Sequence, residues 1–220
     1  MEYRQFGIIA EIEKTENITH VTIKGGDVVN FEQIEELFEE LEGEENVHLI
    51  IDGDVREVSV DAFQGYASIV SVKIGKDVVL IGEGAFSWCT SVVEFVVDEK
   101  NPSYKAIDGS LYTKSGDTVV QYALGRNERE LLLPFGVKTI GRSAFSNCKG
   151  LISVILPYGA VRIEESAFSC CEELSHIELP ETLEVIGNYA FCGCEALSKI
   201  TIPDGIKHIG DCAFTKSGIE

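Results

Sequence analysis

The dipeptide Ala-Phe occurs six times, placing phenylalanine at Phe63, Phe86, Phe145, Phe168, Phe191 and Phe214. Successive steps are 23, 59, 23, 23 and 23 residues, and the long step equals one period plus 36 residues. A fixed period of this length implies stacked supersecondary units rather than one mixed core. No single unit buries its own apolar face; neighbours bury it for one another, so the chain is expected to coil into a solenoid.

Other positions follow the same period. Three residues after each phenylalanine stand Tyr66, Cys89, Cys148, Cys171 and Cys194, and six after stand Ile69, Val92, Leu151, Leu174 and Leu197. An Ile-Gly pair precedes the phenylalanine at Ile81-Gly82, Ile140-Gly141, Ile186-Gly187 and Ile209-Gly210, while one copy reads Ile163-Glu164. An apolar-x-apolar strand follows and is closed by Pro157, Pro180 or Pro203. Alternation at period two directs one face of that strand inward, and proline ends it. The glycine predicts a tight bend or a close approach by neighbouring backbone.

The units L-x-x-I-x-L-P, turn, V-x-x-I-G-x-x-A-F-x-x-C resemble the BspA-like leucine-rich repeats of bacterial surface proteins, over about residues 55–214. The segment 101–125, NPSYKAIDGSLYTKSGDTVVQYALG, resembles one that such proteins carry between ordinary repeats. SLYT and TVVQY flank the turn KSGD as a hairpin, expected to protrude from the solenoid or to widen it at one level. LLLP at 131–134 then restores the register. The resemblance implies an α/β-type leucine-rich repeat solenoid, with one short parallel strand per repeat and turns or short helical segments on the other side. It further implies a cell-surface or secreted role in adhesion.

Residues 1–54 are read as an N-terminal cap, and 55–220 as the repeat array with its insertion at about 98–133. In the cap, FGIIAEIE, ITHVTIKGG and VHLIID read as strands. A helix over about 31–42 carries Phe31, Ile34, Leu37, Phe38 and Leu41 as one stripe, with Asn30 and Gln33 in capping-box spacing.

The formal net charge of −19 argues against nucleic acid, whose phosphates need a basic footprint. No apolar run approaches a membrane span, so no membrane insertion is expected. The start MEYRQFGIIAEIEK lacks a secretory pattern, which reads as a cytoplasmic chain or as a piece of a longer exported one.

Chemistry is thinly represented. Seven cysteines exclude complete pairing within one chain. Cys89, Cys148, Cys171 and Cys194 share one repeat position, so stacking predicts a buried ladder of thiols beside the phenylalanine column. A line along an axis is the wrong geometry for tetrahedral zinc. Cys170, Cys192 and Cys212 occupy three different offsets. His20, His48, His176 and His208 are scattered, and no phosphate loop or metalloprotease motif is present. No catalytic residue, cofactor or metal is assigned.

The remaining candidates are outward positions: Ser71, Lys73, Glu94, Val96, Ser153, Ile155, Ser175, His176, Glu178, Lys199 and Thr201 on the strands, with Tyr158 after a proline and Trp88 before a ladder cysteine. They form a shallow mixed face suited to a protein or glycan partner. The leading expectation is a non-catalytic interaction scaffold. The alternatives are an assembly module that self-associates through solenoid ends, giving a homo-oligomer, and an enzyme without local motif support.

Overall fold

The computed structural model describes residues 1–5 and 7–219. The chain coils into a solenoid with two ribbons of parallel strands. In the first ribbon Thr19–Gly25, Val47–Ile51, Ile69–Ile74 and Glu94–Val97 lie side by side, and Glu2–Gln5 and Ile8–Lys14 extend its N-terminal edge antiparallel. Beyond the insertion, Glu130–Leu132, Ser153–Ile155 and His176–Glu178 form the corresponding ribbon. Its register follows the period: Leu131, Val154 and Ile177 are Cα partners in turn.

The opposite side was expected to hold turns or short helices. It holds the expected turns at the Ala-Phe segments and, beside them, a second ribbon of mostly two-residue strands: Val28–Val29, Glu57–Val58 and Leu80–Ile81, then Thr118–Gln121, Thr139–Ile140, Arg162–Ile163, Val185–Ile186 and His208–Ile209. β-Branched Val and Ile suit extended backbone, and the spacing set by the first ribbon lets the second pair as well. Among the described residues the α-helix is Phe31–Glu39. Asn30 and Gln33 form the expected capping box. The helix engages the core through Ile34, Leu37 and Phe38; Phe31, counted in the same stripe, is exposed.

Between the ribbons the Ala-Phe turns bond directly level to level. The amides of Phe145, Phe168 and Phe191 donate to the carbonyls of Ala167, Ala190 and Ala213 at 2.7–2.8 Å. Alanine leaves room for this approach, and the phenyl rings then stack. Phe145–Phe168 centroids lie 4.8 Å apart, and Phe168–Phe191 and Phe191–Phe214 lie 5.4 Å apart, nearly coplanar in orientation. Phe63 and Phe86 stack likewise at 5.2 Å. Phe63, Phe86, Phe145, Phe168 and Phe191 are fully buried. Phe214 departs from the expected core set: it is half-buried, because no further ring covers its outer face.

The Ile-Gly glycines mark close approach. A Cβ at Gly187 would lie 2.7 Å from backbone atoms of Glu164 and Glu165, and one at Gly141 2.7 Å from the carbonyl of Val119. The last strand motif, KITIP, forms no strand, so Lys199 and Thr201 lie on irregular chain.

The insertion widens the wall rather than standing off it. Ser110–Thr113 and Thr118–Gln121 form the expected hairpin, Tyr104–Ile107 adds a third antiparallel strand, and Thr118–Gln121 continues in parallel into Thr139–Ile140. Tyr122 supplies the ring that stacks on Phe145, 4.8 Å away. Buried apolar side chains form two clusters, with Leu111 in the first and its neighbour Tyr112 in the second. The insertion strand is therefore a partition between two cores.

Candidate interaction face

The structure places the outward residues in two sets on separate sheets, divided by the insertion. In the first, Ser71 pairs in register with Glu94, and Lys73 with Val96. Lys73, Glu94 and Val96 are exposed, whereas Ser71 is half-buried and its Oγ lies 2.7 Å from Nδ1 of His48. His48 in turn is the register partner of His20, with ring centroids 5.2 Å apart. The two histidines looked scattered in sequence; parallel pairing across a helix-containing crossover brings them together. Among the described residues, no group of three or more His, Cys, Asp or Glu side chains could hold a metal ion.

Trp88 lies off the strand face. It occupies a turn position with φ +62°, in line with Asn147, Cys170, Gly193 and Lys216, which all have positive φ. Its indole is exposed.

The second set lies on Ser153–Ile155 and His176–Glu178. Ser153 pairs with His176 and Ile155 with Glu178. Ser153 and Ile155 are half-buried, and Ser175, His176 and Glu178 are exposed. His176 Nε2 lies 3.3 Å from Glu178 Oε1. Tyr158 is 74 % exposed.

Two residues absent from the sequence-derived set complete this face. Leu132 is the register partner of Ile155 and is 70 % exposed; Phe135 is 90 % exposed. Both stand one period before a residue already selected, Leu132 before Ile155 and Phe135 before Tyr158. That offset was the available signal. Gly136 and Gly159 follow the two aromatics with φ near +100°, a conformation that glycine adopts freely. The turn after Tyr158 is tied to the next level: the Gly159 amide donates to Thr182 Oγ1 at 2.9 Å, and that hydroxyl donates to the Ala160 carbonyl at 2.8 Å. Leu132, Phe135, Ile155 and Tyr158 thus project from a fixed frame. Large apolar groups held in water as a contiguous set mark an interaction site more than scattered ones do.

A cleft of about 240 Å³ lies where the second ribbon is interrupted, lined by Ile81, Tyr104, Thr118, Thr139 and Arg142 among others. Arg142 is shared there between Asp61 and Glu165, at 4.0 and 3.6 Å. The cleft is smaller than a usual small-molecule site.

The thiol ladder is present. Cys89, Cys148, Cys171 and Cys194 are buried, and Cys89, Cys171 and Cys194 donate to the carbonyls of Phe63, Phe145 and Phe168 at 2.9, 3.1 and 3.0 Å. The column is therefore not simply apolar. Burial pushes the Cys89 and Cys148 thiols up to about 12 and raises Cys171 as well. Cys170 and Cys192 are half-buried and Cys212 is exposed.

Among the described residues, no helix is long and apolar enough to cross a membrane. The fold is similar to that of a leucine-rich cell-surface protein of Faecalibacterium prausnitzii, at 20 % identity and a TM-score of 0.61, covering 98 % of this chain and 86 % of that one. It is also similar to the pneumococcal vaccine antigen PcpA, at 16 % identity and a TM-score of 0.54, covering 96 % and 78 %. A leucine-rich repeat protein of T. pallidum aligns at 21 % identity and a TM-score of 0.50, covering 94 % and 86 %. Comparison with curated proteins finds no match. The BspA type leucine-rich repeat region matches in six copies over residues 13–115 and 124–220. This periodic chain, with its stacked rings and paired ribbons, belongs to the BspA-type leucine-rich repeat family.

Proposed function

We propose that the protein is a non-catalytic recognition scaffold that binds a protein partner through the outward side of its first ribbon, C-terminal to the insertion. The observation that carries this is the exposed trio Leu132, Phe135 and Tyr158 with half-buried Ile155 beside them, held on two consecutive levels. Rigid aromatic anchors with few rotatable bonds are favoured at binding hot spots. A surface or secreted setting is proposed with it, in keeping with the name of the Faecalibacterium neighbour. In the same proposal, Glu2–Gln5, Ile8–Lys14 and the helix cap the N-terminal end of the stack.

The test is affinity capture from bacterial and host extracts, followed by purification of the captured protein and measurement of its affinity. A variant carrying Phe135→Ser and Tyr158→Ser is expected to lose the interaction, while Trp88→Ser retains it. Equal affinity of wild type and F135S/Y158S would overturn the assignment of this face.

A second reading rests on the C-terminal level, where Ile209 is exposed and Phe214 half-buried. There the stack offers an apolar end to another copy. Light scattering over a range of concentrations decides it, and a constant monomer mass removes it.

A further inference from the structure

The exposed apolar set ends abruptly along the solenoid axis. One column of outward positions runs Leu132, Ile155, Glu178, in consecutive register. The other, just past the strand-ending prolines, runs Phe135, Tyr158, Glu181, Asp204, each one period on. Both change from apolar to acidic at the same level. Glu178, Glu181 and Asp204 are exposed. Glu181 and Asp204 join none of the ion pairs among the described residues, and Glu178 has only His176 beside it. Lys138, three residues from Phe135, lies where it acts on the carboxylate of Asp117.

We propose that these two columns bind an extended cationic segment of a partner protein, with an aliphatic or aromatic side chain over Leu132, Phe135, Ile155 and Tyr158 and a Lys or Arg over Glu178 and Glu181. This rests on the scaffold reading above and names its partner's chemistry. Ring spacings of 4.8–5.4 Å give the rise per level. Two levels therefore span roughly 10 Å, which a segment in polyproline II conformation covers in about three residues, one full turn, so that residues three apart face the same way. The matching pattern is apolar at one position and basic three residues on. A second copy of this chain fits poorly, because its net charge of −19 opposes a contact that includes an acidic half.

Fluorescein-labelled, end-blocked peptides test this. The probe is Gly-Ser-Leu-Phe-Gly-Lys-Lys-Ser-Gly; one control replaces both lysines with glutamate, and another replaces Leu-Phe with Ser-Ser. Anisotropy titration of the full chain is expected to give the tightest binding for the probe, with each control weaker by roughly tenfold or more. E178K/E181K is expected to reverse the preference between the lysine and glutamate peptides. Both substitutions are at exposed positions, and an unchanged circular dichroism spectrum shows that the variant folds. Three outcomes overturn the partner chemistry: no binding of the probe, equal binding of the glutamate control, or no change in E178K/E181K. A concentration-dependent dimer that F135S/Y158S abolishes also overturns it, assigning the face to a second copy. None of the peptide failures touches the scaffold reading, which F135S/Y158S tests against a purified natural partner.

Discussion

The thiol of Cys171 donates to the carbonyl oxygen of Phe145, 3.1 Å away and one level earlier. The bond links two repeats through a side chain, at a point where ring stacking brings the levels together but supplies no hydrogen bond. Cys171→Ala removes the donor and leaves a small void, and is expected to cost about 2 kcal/mol. Cys171→Ser keeps a donor of similar shape and should cost about 1 kcal/mol or less. Urea denaturation of the two variants measures the difference; equal losses would show that the bond contributes nothing beyond packing.

Thiol reactivity should divide the cysteines by exposure. Native protein treated with a maleimide is expected to label Cys212 first, then Cys170 and Cys192, whereas Cys89, Cys148, Cys171 and Cys194 react only on unfolding. Mass spectrometry of timed samples reads the order directly, and early labelling of Cys171 would contradict the buried ladder.

The same thiols make the fold sensitive to alkali. Burial raises Cys89 and Cys148 from an ordinary value near 9 to about 12. A raised folded-state value means that the native chain keeps its protons while the unfolded chain loses them. The stabilisation is complete below pH 9 and falls as pH rises towards 12. Each thiol contributes a slope of about 1.4 kcal/mol per pH unit in that window. Tyr66 and Tyr112, also pushed to about 12 by burial, add to the slope above their ordinary 10. Urea midpoints should be level near neutrality and drop steadily through the window.

Asn101 organises the start of the insertion. Its Nδ2 donates to the carbonyls of Gly75 and Val78 at 2.7 and 2.9 Å, and its Oδ1 accepts from the amides of Ser103 and Tyr104 at 2.9 and 2.8 Å. Tyr104 then accepts from the Ile81 amide through its hydroxyl, at 2.7 Å. Asn101→Ala leaves buried carbonyls and amides without partners and should cost about 3 kcal/mol. A thermal melt tests the size, and faster proteolysis within 101–125 tests the location.

Gly187→Ala should destabilise by about 1–3 kcal/mol, since its Cβ would meet the backbone of Glu164 and Glu165 at 2.7 Å. The corresponding Glu164 shows that one level accommodates a side chain, paired there with Arg162 at 2.7 Å. A thermal shift of a few degrees in G187A, against none in the exposed-site variant Glu195→Ala, would locate the effect in the close approach.

The repeat made the inward side of the fold readable. The Phe column, the thiol ladder and the SLYT–TVVQY hairpin all follow from residues recurring at one interval. The second ribbon was not readable, because two residues such as Val185-Ile186 are too few to show alternation. Tyr122 was hidden because it takes a phenylalanine's place outside the Ala-Phe signature. The proposed binding face was half visible: Ile155 and Tyr158 sit in well-formed repeats, but Leu132 and Phe135 belong to the irregular level beside the insertion. The His20–His48 contact depends on register between strands separated by the helix, which no local pattern reports.

Since each ordinary strand pairs in register with the strand one period on, the molecule is in effect a ruler graduated in 23-residue marks. Duplicating one unit such as 163–185 would lengthen it by a single graduation and leave every other contact in kind. The interval 101–125 cannot be multiplied in this way, because Asn101 reaches back to Gly75 while Tyr122 reaches forward to Phe145. Gene duplication can therefore tune how far the C-terminal end of the stack stands from the insertion, which stays a fixed zero from which that distance is counted.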